Sequence, residues 1–392
     1  MPLDANALFE SLSRSGITHF AGVPCSLLNP LIAAANARGH YLAASVEGEA
    51  VAVAAGVWLA GGTGAVLMQN SGLGNAVNPL ASLLLPYRIP ALFVVSWRGQ
   101  PGTEDAVHHA PMGHATLKLL DAFDVRSWVL GPASDLDRLA VDIRSTLLDR
   151  RPAAIVVPRG VLKKLPAEWK QSIGSATPRS ADGISFMGGD LPGREEAISA
   201  IVDLFGSQAT ISTTGYTSRT LATYGPRGHH FYMQGSMGFA LAIALGCLWM
   251  DSRHPICVLD GDGALLMRLG SLSTAGKLQP RNLVHVVLDN GTYASTGGQP
   301  TASPNVDFAA IARACGYART ATCVGRDALG PALAWAWGAV GDGTVLLHLR
   351  MSAAESDAAE RPEQPPDWIA SEFRSWWCGE CLEVRHMEAA GR

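Results

Sequence analysis

The chain has 392 residues and a formal net charge of −4, which gives no electrostatic argument for nucleic acid or an anionic membrane. Apolar residues make up 48% of it and there are 42 glycines, a balance that fits a large two-domain α/β enzyme and not a disordered chain. The longest apolar runs are interrupted too early to span a bilayer, and Met1-Pro2-Leu3-Asp4 lacks the basic and apolar regions of a signal peptide, so a cytoplasmic location is expected; seven scattered cysteines suggest no disulfide framework.

In chain order, Ala5 to Ser13 reads as a short amphipathic helix and Thr18 to Ala21 as a strand, followed by the turn Gly22-Val23-Pro24-Cys25-Ser26. Ser26 stands where a helix N-cap would be, and equally at a strand's carboxyl end where a hydroxyl faces a ligand. Cys25 reads as a packed small residue, since no basic group is visible beside it. Tyr41 to Ser45 is the next strand. It leads into Glu47-Gly48-Glu49-Ala50 and a helix rich in Ala and Gly, whose first turn favours a carboxylate through the helix dipole. Either Glu47 or Glu49 can face a ligand there; Glu47 is favoured because it stands first, at the strand-to-helix junction.

Ala65 to Met68 is a buried strand ending in the polar, Gly-rich turn Gln69-Asn70-Ser71-Gly72-Leu73-Gly74-Asn75, a ligand loop by geometry. Ala91 to Val95 delivers Trp97-Arg98-Gly99-Gln100-Pro101-Gly102 and a loop bearing His108 and His109. Arg98 can take an anion in a fork of hydrogen bonds, or make a surface salt bridge. Ser134 to Leu148 is helical, and Ala153 to Val157 is the last strand of this half. Residues 158–191, polar and aperiodic, read mostly as linker.

The second half opens with a helix, Arg194 to Phe205, and a strand, Ala209 to Ser212. The strand ends in Thr213-Thr214-Gly215-Tyr216-Thr217-Ser218-Arg219, whose amides and hydroxyls can hold phosphate. Gly235-Ser236-Met237-Gly238 precedes a helix to Trp249. Pro255 to Leu259 reads as a buried parallel strand before Gly261-Asp262-Gly263; a helix follows from Ala264 to Leu278. A second strand, Leu283 to Leu288, ends at Asp289-Asn290-Gly291. This βαβ unit sets Asp262 and Asn290 side by side outside the carboxyl ends of parallel strands, as a hard-oxygen site of the kind Mg²⁺ prefers. Gly291 to Thr301 is a loop whose glycines can hinge it over a site.

The motif GDG-x26-N resembles the fingerprint of thiamine-diphosphate (ThDP) enzymes. Gly-Val-Pro-x-Ser, Met-Gln-Asn-Ser-Gly-Leu-Gly-Asn, Trp-Arg-Gly-x-Pro-Gly and Gly-Gly-Gln-Pro-Thr carry a closer resemblance, to the phosphonopyruvate and sulfopyruvate decarboxylases, over roughly residues 5–350. Tyr293 and Ala294 stand where phosphonopyruvate decarboxylases often place a His and an acid, which leaves the substrate open between the two branches.

The resemblance implies an α/β fold of two doubly wound parallel-sheet domains: a pyrimidine-binding domain (1–165), a linker (166–193), a diphosphate-binding domain (194–351) and a tail (352–392). It implies Mg²⁺ on Asp262, Asn290 and the Thr292 carbonyl, and ThDP held by Glu47, Asn70, Thr214, Gly215, Ser236, Met237, Gly261, Asp262, Gly263 and Asn290. Glu47 takes the aminopyrimidine nitrogen, His109 joins it in catalysis, and Met237 wedges the bent cofactor. A small anionic 2-oxo acid meets Ser26, Arg98, His109, Arg219 and Gln299. The resemblance also implies a homo-oligomer with active sites at the subunit interface, and the small residues of the Glu47 helix would permit close packing there. In the tail, Cys378 and Cys381 form a metal half-site, and the alternatives are tryptophans packed on the body or disorder.

Overall fold

The computed structural model describes residues 1–165, 183–224, 228–353 and 359–379. The chain divides into two compact units, and their boundary falls within residues 166–182. The first unit carries strands β1 (His19–Gly22), β2 (Tyr41–Ala43), β3 (Gly64–Gln69), β4 (Leu92–Trp97), β5 (Arg126–Val129) and β6 (Ala153–Pro158). They form an all-parallel sheet in the order β2-β1-β3-β4-β6-β5. Its helices are α1 (Ala5–Arg14), α2 (Asn29–Asn36), α3 (Glu47–Leu59), α4 (Leu73–Pro79), α5 (Ala110–Ala122) and α6 (Leu136–Leu148). Leu8 and Leu12 of α1, Leu31 of α2 and Ile143 of α6 share one apolar cluster with Leu67 and Val94 of the sheet.

The chain moves to one side of β1 to make β2 and to the other side of β3 to make β4. The β1/β3 boundary is therefore a topological switch point, where diverging loops leave a crevice outside the carboxyl ends. Helix α3 is buried nearly all round from Ala50 to Leu59, as expected of a helix apolar on every face. Its small residues serve packing within the chain: a Cβ on Gly64 would stand 2.6 Å from Ala54 Cα.

The second unit holds β7 (Ile184–Met187), β8 (Ala209–Ser212), β9 (His230–Tyr232), β10 (Ile256–Gly261), β11 (Leu283–Asp289), β12 (Thr292–Tyr293), β13 (Gln299–Pro300), β14 (Arg319–Val324) and β15 (Val345–Arg350). Seven of these form a second parallel sheet in the order β7-β14-β15-β11-β10-β8-β9, and β12 and β13 make a small antiparallel hairpin. The helices are α7 (Arg194–Phe205), α8 (Tyr216–Thr223), α9 (Ala240–Met250), α10 (Asp262–Leu266), α11 (Gly270–Leu278), α12 (Phe308–Ala314), α13 (Leu329–Gly338) and α14 (Pro366–Cys378). Here the switch point lies between β8 and β10, since β8 leads outward to β9 and β10 leads the other way to β11.

Two expectations are corrected. Ile184–Met187, inside the stretch read as linker, is an edge strand paired with β14. The single helix expected over Ala264 to Leu278 is split into α10 and α11 by a turn at 267–269, where the Arg268 guanidinium lies 4.6 Å over the Phe239 ring. In the tail, α14 packs its aromatic residues on the second unit: Trp377 is fully buried, and Phe373 meets Phe231 edge-on at 5.8 Å. Cys378 ends that helix, while Cys381 lies outside the described residues, so the proposed metal pair is not tested.

Candidate active site

In the first unit, Glu47 opens α3 and is 9% exposed. Its Oε2 accepts a hydrogen bond from Asn75 Nδ2 at 2.8 Å, and a Cβ on Gly72 would come within 2.3 Å of its Oε1. The glycine in the turn after β3 is thus what lets the carboxylate lie against that turn. Glu49 is used differently. Its Oε2 accepts from both the backbone N–H and the hydroxyl of Ser45, each at 2.6 Å, while its Oε1 is buried without a partner among the described residues. Glu49 therefore fixes the start of α3, and Glu47 is the acid set at the switch point.

Asn70 is fully enclosed and its amide is spent on structure. It donates to the Arg98 carbonyl (2.8 Å) and Thr116 Oγ1 (3.0 Å) and accepts from Arg98 N–H (3.2 Å). Asn70 ties the ends of β3 and β4 together. The Arg98 fork is also occupied. Its Nε and Nη2 donate to the two oxygens of Asp105 at 2.8 and 2.7 Å, and the Arg98 side chain is 16% exposed. Asp105 accepts in addition from Gly99 N, Ala106 N and His109 Nδ1, and Arg159 Nη2 reaches it at 3.4 Å. The Arg98 guanidinium, together with these further donors, holds the Asp105 carboxyl far below the usual carboxylate range. The bidentate geometry of Arg98 thus goes to Asp105, the salt-bridge alternative of the sequence reading.

The close approach of this loop depends on two glycines. A Cβ on Gly99 would lie 2.3 Å from the His109 carbonyl oxygen, and one on Gly113 would lie 1.6 Å from the Gly99 carbonyl oxygen. Ser26 is not a helix cap, because α2 starts only at Asn29 without a side-chain cap. Ser26 instead lines a cleft of about 680 Å³ with Arg98, Arg159 and Lys164.

In the second unit, a small recess at the β8/β10 switch point is lined by Thr213, Thr214, Gly261, Asp262, Gly263, Asn290 and Thr292, with Met237 beside them. Gly215 precedes α8 with φ +80°, a conformation that favours glycine. Ser236 has φ +58°, unusual for a residue with a Cβ, and so marks a constrained turn next to Met237. Gly263 is required because the Tyr293 ring would lie 2.4 Å from any Cβ there.

Asp262 is buried and accepts from Thr301 Oγ1 at 2.5 Å. Burial pushes its pKa up, the nearby Asp289 charge adds to this, and the Thr301 hydroxyl opposes it. Asp289 is fully enclosed, and burial alone would raise it. Hydrogen bonds from His348 Nε2 (2.8 Å) and Ser303 Oγ (2.5 Å), with Arg350 at 3.3 Å, outweigh burial and lower it. Asp289 Oδ1 also accepts from Gly291 N, and Asn290 Oδ1 from Thr292 N, so the loop after β11 is folded on its own side chains.

Two predicted substrate contacts have local partners. Gln299 is exposed and exchanges hydrogen bonds with Thr296 in its own loop. Arg219 lies 5.2 Å over the Tyr216 ring and lines a different cleft, beside residues 360–364. The sequence reading missed Asp105, Arg194, Asp289, Thr301 and Ser303 as site residues. Asp105 and His109 stand at i,i+4, which was a legible signal; Arg194, at the start of α7, lines the recess with nothing in sequence to announce it.

The residues fit a Mg²⁺–diphosphate group. The donors on offer are a carboxylate, an amide oxygen and a main-chain carbonyl, all hard oxygens. Beside them Thr213 Oγ1 is buried with no hydrogen-bond partner among the described residues, as a donor waiting for an acceptor would be. No group of three or more His, Cys, Asp or Glu residues able to hold a metal occurs among the described residues.

Comparison with known proteins agrees. Residues 5–123 match the N-terminal TPP binding domain of thiamine pyrophosphate enzymes, and residues 212–349 match the C-terminal TPP binding domain. Phosphonopyruvate decarboxylase of Streptomyces viridochromogenes is 43% identical over 95% of both chains. Its counterpart from Streptomyces hygroscopicus is 41% identical over 95% of this chain and 94% of its own. Sulfopyruvate decarboxylase of Methanosarcina acetivorans is 31% identical over 80% of this chain and 83% of its own. Among solved structures, the ThDP-dependent 4-hydroxybenzoylformate decarboxylase of Rhodococcus jostii RHA1 superposes with a TM-score of 0.67 at 15% identity, covering 90% of this chain and 99% of that one. With both cofactor-binding domains present and near full-length likeness, the chain belongs to the thiamine pyrophosphate enzymes, in the family of the phosphonopyruvate decarboxylases.

Proposed function

We propose that the protein decarboxylates 3-phosphonopyruvate: the C1–C2 bond breaks, CO₂ leaves, and a proton taken up at the former C2 gives phosphonoacetaldehyde. The observation that carries the cofactor half of this reading is the all-oxygen donor set of Asp262, Asn290 and Thr292 beside the unpartnered Thr213 hydroxyl. Full-length relatives that act on phosphonopyruvate support the substrate half. Asp262, Asn290 and the Thr292 carbonyl hold Mg²⁺; Thr213, Thr214 and the amides around Gly215 receive the diphosphate. Gly261 would let the diphosphate approach the backbone, Gly263 makes room for the Tyr293 ring, and Ser236 would set Met237 against the cofactor.

Glu47 accepts and returns a proton at the aminopyrimidine nitrogen, and its enclosure beside Gly72 and Asn75 fixes where that proton sits. When bound, ThDP supplies the electron sink that makes loss of CO₂ possible. His109, its Nδ1 held by Asp105, keeps Nε2 available to carry the proton that the aldehyde carbon needs. Ser26 binds substrate from the wall of the cleft it lines. The working form is a homo-oligomer in the cytoplasm, a reading supported by free thiols at the described cysteines and by the likeness to thiamine pyrophosphate enzymes.

Phosphorus NMR of purified protein with 3-phosphonopyruvate tests this. Conversion to phosphonoacetaldehyde that requires both ThDP and Mg²⁺ is expected. No conversion with both present, or conversion independent of ThDP, overturns the reading; faster turnover of sulfopyruvate would move the protein to the other branch.

A further inference from the structure

The cleft of about 680 Å³ in the first unit is charged on one side of the ledger only. Ser26 lines it from the turn after β1, Arg98 from the end of β4, and Arg159 and Lys164 from the segment after β6, and no carboxylate stands on its wall among the described residues. Behind the wall one carboxylate, Asp105, receives Arg98 by two bonds and Arg159 by one long contact of 3.4 Å to the same Oδ1 that Arg98 Nη2 reaches at 2.7 Å. Arg159 is therefore drawn toward Arg98 but barely engaged, with a side chain 58% exposed. Lys164 makes no ion pair among the described residues, so three cations face a single carboxylate and two positive charges remain uncompensated.

Such a site takes a dianion, and the reaction decides which end of the substrate that is. The departing carboxylate loses its charge as CO₂ forms, so cations on it would stabilise the ground state more than the transition state and slow the step. Cations on the group that keeps its charge throughout bind ground and transition states alike. A phosphonate carries up to two charges near neutral pH and a sulfonate one.

We propose that this cleft seats the substrate's phosphonate and that Arg159 reads its second negative charge. This rests on the function proposed above and adds a specificity residue to it. Asp105 aims Arg98 by taking its Nε and Nη2, which leaves Arg159 and Lys164 as the movable cations.

Two readouts on the ThDP- and Mg²⁺-loaded protein test it. The first is kcat/KM for 3-phosphonopyruvate and for sulfopyruvate in the wild type, Arg159→Gln and Arg159→Lys. Arg159→Gln is expected to lower kcat/KM for phosphonopyruvate about 10- to 100-fold, mostly through KM, and for sulfopyruvate at least threefold less; Arg159→Lys should recover part of the loss. An equal loss on both substrates, or no loss, overturns the assignment. The second is calorimetric binding of unreactive 3-phosphonopropionate, which needs no turnover. Wild-type binding weakened about tenfold or more in Arg159→Gln supports the seat even if phosphonopyruvate is not turned over, in which case the functional reading fails and the cleft stands. Binding that is absent in the wild type or unchanged in Arg159→Gln removes the cleft. Unchanged ThDP affinity in the variants shows that the fold is retained.

Discussion

At the end of β4 a single carboxylate is crowded by donors, whereas at the ends of β10 and β11 only one of two neighbouring carboxylates is. Asp105 accepts from Arg98, His109 and two backbone N–H groups. Asp289 is similarly saturated, by His348, Ser303 and Gly291. Asp262 is buried like Asp289, yet among the described side chains only Thr301 donates to it, and its pKa is pushed up where those of Asp105 and Asp289 are pushed down. A saturated carboxylate holds other groups in place; an undersupplied one is where a cation belongs. The comparison separates positioning residues from binding residues without reference to any relative.

The largest expected effect is on turnover. Glu47→Gln keeps the shape but cannot exchange the proton, so kcat should fall by about 10²–10⁴, measured by aldehyde release; a kcat near wild type would make Glu47 only a helix-start residue. Stability comes next. Asp289→Ala leaves His348 and Arg350 facing an emptied, enclosed position, and denaturant unfolding should show a loss of about 3–5 kcal/mol. Asp105→Ala, nearer solvent, should cost less, and the reverse order would break the comparison. Smaller again is Thr301→Val, which removes one donor to Asp262; about 0.5–1.5 kcal/mol is expected from the same measurement.

The smallest effect is in acid. The Arg98 guanidinium depresses the Asp105 pKa in the folded state. That contribution is complete above the unfolded value of about 3.9 and is lost only as pH falls from there through the folded value. The stability difference between wild type and Asp105→Asn should therefore stay flat from pH 7 to about pH 5 and shrink only at lower pH. A difference that collapses between pH 7 and 5 would show that Asp105 is not paired as described.

Both sheets were legible where strands are buried on both faces: the apolar runs that became β3, β4, β6, β8, β10, β11 and β15 stand out from their flanks. The strands that were missed carry no such run. Residues of β5 and β7 are mostly exposed, and β14 alternates with polar Thr. In the site, glycine spacing and strand ends announced Glu47, Asp262 and Asn290. Thr301 and Ser303 were silent because what they do depends on loops folding back onto strand ends, and Asp105 showed only its i,i+4 spacing to His109. The same fold-back explains why Asn70, Arg98 and Gln299, which look ligand-facing in sequence, are spent on neighbours.

The central claim is that the undersupplied carboxylate of the second unit binds the cofactor while the glutamate of the first activates it. Calorimetric titration of ThDP with Mg²⁺ into Asp262→Ala and Glu47→Gln measures that division directly. The account predicts that Asp262→Ala weakens binding by about 100-fold or more, while Glu47→Gln stays within about fivefold of wild type despite its lost turnover. Wild-type affinity in Asp262→Ala, or a larger loss in Glu47→Gln than in Asp262→Ala, would contradict it.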